Sequence, residues 1–315
     1  MSRVVAPIQL GCCHEVERCR LCPPAPRWPD GEYVRALVEN TRHHRGTDDV
    51  VTAFFGGRPP SDEQLQATEG HTIAARVRPD LLSRAAADRL REHGVGEIEL
   101  DGLSFDTSVL RQLRRRYPGE RVPIMARGLR EAGFQVGLVL GVGLPGSSHE
   151  SSVADARRAV ELVDTVRLHP VLVLHDTGLK RAHMDGLYAP LSLAQAITTC
   201  RAMLDVLEPA GVRVIRVGQQ PGPDGLGTAV AGPRHSGFRE LVEARRTLDR
   251  LRDLLRARPS RGEVVIRCSS ADETRTRGPL NQNVRTLRAE FGLEQLVVRA
   301  DPSLKRGDFI VEEAS

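Results

Sequence analysis

Aromatic side chains are scarce in this 315-residue chain: seven Phe, three Tyr and one Trp, 3% in all. So few rings leave little material for the stacking platforms on which proteins read exposed nucleobases. Lysine is scarcer still, present only at Lys180 and Lys305, so arginine carries the rest of the 45 basic charges. With 41 acidic residues the net charge is only +4, and an arginine-rich composition does not by itself indicate RNA binding. No run is apolar enough to cross a membrane. The opening "MSRVVAPIQLGCC" lacks the long apolar region and small-residue cleavage site of a secretory leader. The expectation is a cytoplasmic protein, where clustered thiols bind metal or do chemistry more often than they form disulfides.

Against these shortages, hydrophobic residues make up 40% of the chain and charged ones 27%. That suits one large α/β domain, or one large and one small. Short β-branched runs, "VVAPIQL" (4–10), "DVVTAFFGG" (49–57), "HTIAARV" (71–77), "GEIELDG" (96–102), "FQVGLVLGVG" (134–143), "TVRLHPVLVL" (165–174) and "GVRVIRVG" (211–218), read as strands. Between them lie amphipathic stretches with apolar residues at helical spacing, such as "DLLSRAAADRLREHG", "VPIMARGLREAG", "ESSVADARRAVELV" and "LSLAQAITTCRAMLDVLEPAG", three of which stop at Gly. Strand and helix in alternation predict a parallel sheet with right-handed crossovers. The number of units favours a full or partial (β/α) barrel over a doubly wound sheet. After residue 219, "QQPGPDGLGTAVAGPRHSG" reads as a long loop and 238–259 as a strong helix ended by Pro259. The tail is expected to hold the strand "EVVIRCS", a basic turn "ETRTRGPLN", the helix "NVRTLRAEFG" and two further strands. The predicted domains are therefore a barrel over 1–235 and a small α/β extension over 236–315.

Four of the six cysteines fall within "QLGCCHEVERCRLCPP" (9–24), directly after the first predicted strand. Parallel barrels carry their functional loops at the C-terminal ends of the strands. Cys12, Cys19 and Cys22 form C-x6-C-x2-C, and three thiolates on one loop can ligate three irons of a 4Fe–4S cluster, leaving the fourth open. Cys13, His14, Cys19 and Cys22 can equally close a Cys3His zinc site. Spacing alone leaves the two level. Cys200 and Cys268 stand apart and read as buried thiols. The basic run "RQLRRRYPGER" (111–121) either meets phosphates or solvates a helix end.

Beyond the cysteines the chain resembles the radical S-adenosylmethionine (SAM) superfamily, in the group related to the Elongator catalytic subunit. "GCCH" is similar to that group's Gly-Cys-Pro-His opening, with Cys13 in the proline position. "TAFFGG", "RVRPDLLS", "GVGEIELDGLSFD", "EAGFQVGLVLGVGLPGSSHES", "VRLHPVLVLHDTGL", "VIRVGQQP" and "AGPRHSGFRELVEAR" continue the likeness in order, as does the tail around "RTRGPLNQNV". The resemblance implies a partial (β/α)6 barrel, a 4Fe–4S cluster on Cys12, Cys19 and Cys22, and an external electron donor. It also implies reductive cleavage of SAM to a 5′-deoxyadenosyl radical. It places SAM against Gly56 and Gly57, Arg78, Glu99 and Ser104, Gly141 and Gly143, and His169. The substrate it suggests is transfer RNA, with a small molecule as the other choice. Arg58 stands where Glu or Thr usually follows the paired glycines, and Leu103 replaces a glutamine common in the group. These two departures keep open a non-catalytic RNA-interaction protein whose cysteine segment holds zinc or a cluster. The acetyltransferase domain of full-length Elongator-type subunits is not expected in these 315 residues.

Overall fold

The computed structural model describes residues 5–10, 19–21, 29–44, 51–219, 229–257 and 262–313. The chain divides into two compact units, Met1–Arg234 and His235–Ser315. In the first, the element order is β1 (Val5–Gln9), α1 (Gly31–His44), β2 (Thr52–Gly57), α2 (Asp62–Gln66), β3 (Thr72–Val77), α3 (Arg84–Glu92) and β4 (Val95–Leu103). Then come α4 (Thr107–Gln112), α5 (Arg121–Glu131), β5 (Gln135–Val142), α6 (His149–Ala159), β6 (Thr165–Pro170) and β7 (Val173–Leu174). The unit finishes with α7 (Gly178–Met184), α8 (Leu193–Leu207), β8 (Arg213–Val217) and β9 (Ala229–Ala231).

Seven strands pair in the order β1-β2-β3-β4-β5-β6-β8, every pairing parallel. This is the partial barrel that the alternation of strand and helix predicts. Parallel strands covered on both faces need near-continuous apolar sequence, and β5, with seven of its eight residues buried, shows it most fully. The crossover helices begin at side-chain caps: Ser61 on α2, Ser83 on α3, Asp106 on α4, Ser148 on α6 and Ser192 on α8. The three glycines expected to stop helices do so in left-handed geometry, with φ of 78° at Gly94, 82° at Gly133 and 83° at Gly211.

Two expectations are corrected. The stretch after residue 219 contains β9, which pairs antiparallel with β7; its Gly- and Pro-rich surroundings conceal three residues of strand. In the second unit the expected basic turn is a short helix. That unit holds α9 (Phe238–Ala257), β10 (Glu263–Cys268), α10 (Glu273–Arg277), α11 (Gln282–Phe291), β11 (Gln295–Ala300) and β12 (Phe309–Glu313), with sheet order β11-β10-β12. Arg277 reaches back one turn to Glu273 at 2.8 Å, a pairing that makes "ETRTR" helical. Pro259 lies outside the described residues.

Candidate functional site

Every strand of the barrel runs in the same direction, so the segments that follow them gather at one mouth. Of the cysteine segment, Cys19, Arg20 and Leu21 are described; Cys12, Cys13, His14 and Cys22 lie outside the described residues. Cys19 is 1% exposed. The next residue ties it down: Arg20 N–H donates to the Leu113 carbonyl at the end of α4 (3.2 Å), and the Arg20 carbonyl accepts from Leu179 N–H in α7 (2.9 Å). Leu21 packs on an apolar cluster that includes Leu103, Val109, Leu113, Leu144 and Tyr188. A thiol held in a buried, fixed position, with three further cysteines near it in sequence, has donor chemistry that suits an iron–sulfur cluster or zinc. Cys200 and Cys268 are fully buried elsewhere, as expected, and burial pushes the Cys200 thiol up.

The residues expected around SAM are distributed as follows. Gly57 closes β2 with φ 124°, a conformation that side-chain-bearing residues avoid, while the Gly56 carbonyl accepts Leu10 N–H at 2.8 Å. Arg58 is half-buried, and burial lowers its pKa; its guanidinium remains a cation all the same. Arg78 is buried and makes a forked pair with Asp80, Nε to Oδ1 at 2.9 Å and Nη2 to Oδ2 at 2.5 Å. Ser104 is buried, its hydroxyl accepting Asp106 N–H at 3.0 Å. Beside it Asp155 accepts Phe105 N–H, and burial raises the Asp155 carboxyl. A side chain at Gly141 would lie 2.7 Å from Leu144, and one at Gly143 2.7 Å from Leu191. The Gly143 carbonyl already accepts the Tyr188 hydroxyl at 2.6 Å.

Glu99, which the resemblance puts near the end of the fourth strand, is engaged within the sheet. It sits mid-strand, because β4 continues past it to Leu103 through an irregular register between Leu100 and Leu103, where Leu103 takes φ 65°. Its carboxylate, 1% exposed, is clamped on both oxygens: Arg76 Nε donates to Oε1 at 2.9 Å and Arg167 Nε to Oε2 at 2.5 Å. Both guanidiniums lie 5.4 Å from the centre of the Phe54 ring, within cation–π range. Gly137, paired with Glu99 in register, leaves room for this bridge, since a side chain there would stand 2.7 Å from Thr165 Oγ1 and 3.1 Å from Glu99 Cγ. Arg216, opposite Arg167 in register, completes the set. The signal for these arginines is present in the sequence: in "AARV", "VRLH" and "VIRV" each interrupts a β-branched or apolar run, where a charge has to find a partner inside.

His169 follows Arg167 by two residues on the same face of β6. Burial first, and then the Arg76, Arg167 and Arg216 charges, hold its imidazole well below the ordinary 6.5. The folded state thus keeps His169 neutral at pH values where the unfolded chain takes up a proton. Its contribution to stability is complete above about 6.5 and is lost as the pH falls below that towards the folded pKa. His169→Phe is expected to flatten this acid limb, seen as a smaller drop in urea midpoint than in the unaltered chain between pH 7 and pH 5.

The family profile described as the Radical SAM C-terminal domain matches residues 163–250. Among curated proteins, the tRNA uridine(34) acetyltransferase of Dehalococcoides mccartyi is 28% identical over 207 residues, covering 62% of this chain and 44% of that protein. Elongator complex protein 3 of Saccharomyces cerevisiae is 27% identical over 189 residues, covering 59% of this chain and 33% of that protein. The chain thus spans less than half the length of these curated relatives. Among solved structures, the archaeal Elp3 of Methanocaldococcus infernus superposes with a TM-score of 0.62 at 20% identity, over 77% of this chain and 62% of that one.

Proposed function

We propose that this chain, which belongs to the radical SAM superfamily in the group related to the Elongator catalytic subunit, is an enzyme that binds a 4Fe–4S cluster through Cys12, Cys19 and Cys22. It cleaves SAM with an electron from an external donor and acts on transfer RNA. The observation that carries the reading is Cys19, buried beside Arg20, whose backbone is tied to Leu113 and Leu179, at the mouth of a seven-stranded parallel barrel. When bound, the cluster supplies one electron to the sulfonium of SAM.

The chain's own part is placement. Leu21 packs on an apolar cluster, and the Cys19 side chain is itself closed to water. Gly57 is assigned to the methionyl ammonium, and the Gly141 to Gly143 turn and His169 to the adenine. The neutral imidazole offers that base an uncharged edge. Arg78, Glu99 and Ser104 are assigned to the polar groups of SAM, and partners within the protein hold each of them in position. In anaerobic purification, about four irons and four sulfides per chain are expected. One zinc and no iron would instead establish the non-catalytic zinc reading.

The transfer-RNA part rests on the names of the relatives and on one surface feature. Arg111, Arg114, Arg115 and Arg116, with Thr107 and Tyr117, line a cavity of about 750 Å³. Arg111, Arg114 and Arg116 are exposed there, next to Leu113, whose carbonyl holds Arg20. The double change Arg111→Glu and Arg114→Glu is expected to weaken transfer-RNA binding and to lower the salt slope of the affinity by about two. A filter-binding titration at several salt concentrations measures both.

A further inference from the structure

The inner wall of the barrel carries more positive charge than it neutralises. Glu99 meets Arg76 and Arg167 through their Nε atoms. Among the described residues, the terminal amines of both arginines have no hydrogen-bond partner, and Arg216 has none at all. Glu97, a second buried carboxylate two residues back on the same face of β4, is itself engaged and makes no hydrogen bond or ion pair with Arg76 or Arg167 in the clamp. His169 is neutral. Thr165 Oγ1, buried beside Glu99 across Gly137, also lacks a partner. A purely structural ion-pair plug would match its charges, because unpaired buried charge costs several kcal/mol per ion (about, after relaxation). Here three guanidiniums converge on one carboxylate, and guanidinium does not shed its proton to relieve the imbalance. The same repulsion acts on Arg216, whose pKa is lowered by burial and then by Arg167 and Arg76, against a smaller opposing pull from Glu99.

The wall is also reachable. The side chains of Arg76 and Arg167 remain 23% and 18% exposed, and Arg216 is half-buried. Planar donors with open outer edges suit an oxyanion, which takes parallel N–H bonds from guanidinium. Arg167 lies about 6–7 Å, two residues of strand, below His169 and further from the mouth. The group it receives thus lies deeper than the surface assigned to SAM.

We propose that Arg76, Arg167 and Arg216 form an oxyanion site inside the barrel, which receives a phosphate or carboxylate group of the substrate. The inference rests on the reading of this barrel as that of a radical SAM enzyme and adds the charge of the group that enters it. The test is calorimetric titration of the full chain, with iron content measured alongside, using inorganic phosphate and succinate as probes against chloride of equal ionic strength. One saturable site per chain is expected. Arg216→Met should weaken binding about tenfold or more, and Arg216→Lys should fall between. Because Arg216 makes no hydrogen bond or close ion pair among the described residues, and the Arg76 and Arg167 repulsion outweighs its attraction to Glu99, the melting temperature of Arg216→Met without ligand should equal or exceed that of the unaltered chain. The tighter of the two probes identifies the group. No saturable binding of either probe, or unaltered binding by Arg216→Met, overturns the proposal. So does one-for-one displacement of the probe by SAM, which would give the arginines to the cofactor. A chain that binds the anion but no iron defeats the cluster reading and leaves this one standing; iron without anion binding does the reverse.

Discussion

Cys19→Ala is expected to remove the iron and with it all 5′-deoxyadenosine formation, while the barrel stays folded. Cys19 is one of the three thiolates proposed for the cluster, and a cluster with two remaining protein ligands on one loop is not retained. The loss of side-chain volume from Cys to Ala is small, and the contacts that position the segment are backbone hydrogen bonds of Arg20 with Leu113 and Leu179. These survive the substitution. The expected result is therefore selective: iron falls from about four per chain to background, with an unchanged circular dichroism spectrum. Loss of the folded spectrum together with the metal would instead make Cys19 a packing residue.

Glu99→Gln is expected to cost the barrel about 3–5 kcal/mol, the range for breaking a buried ion pair by removing one partner. The carboxylate is 1% exposed and bridges β3 to β6 through Arg76 and Arg167. An amide keeps the shape but presents one acceptor oxygen, and it leaves three guanidiniums facing each other with no counter-charge among them. Urea unfolding, read by a probe in the barrel, measures the loss. Replacing the group together, Glu99→Leu with Arg76→Met and Arg167→Met, should recover most of it, because an apolar substitute of similar volume pays no desolvation. A loss under about 1 kcal/mol for Glu99→Gln would mean that water already screens this cluster as it screens surface pairs.

Much of the fold is legible in the sequence because parallel strands buried on both faces announce themselves as apolar runs. Val136 to Val142 is the clearest case. Helix ends are legible where a glycine takes the left-handed geometry that terminates them, as at Gly94, Gly133 and Gly211. Short elements are not. Ala229–Ala231 is a strand through its pairing with Val173–Leu174, and nothing local in three residues encodes a partner so distant in the chain. The site divides in the same manner. The cysteine spacing is visible in the sequence and narrows its chemistry to an iron–sulfur cluster or zinc. Glu99 is visible as a strand carboxylate, but its role depends on where the strand stops, and β4 continues for four more residues. Arg76, Arg167 and Arg216 come from three strands, and only the register of the sheet sets them around one carboxylate.

The central claim is that this barrel turns over SAM. It is tested most directly by incubating the anaerobically reconstituted chain with SAM and a strong one-electron reductant and measuring 5′-deoxyadenosine and methionine. The account predicts both products in equal amounts, dependent on the reductant and absent from Cys19→Ala. An intact four-iron cluster that leaves SAM uncleaved would contradict it, and would mean that Arg58 and Leu103 mark a barrel that has kept its shape and lost this chemistry.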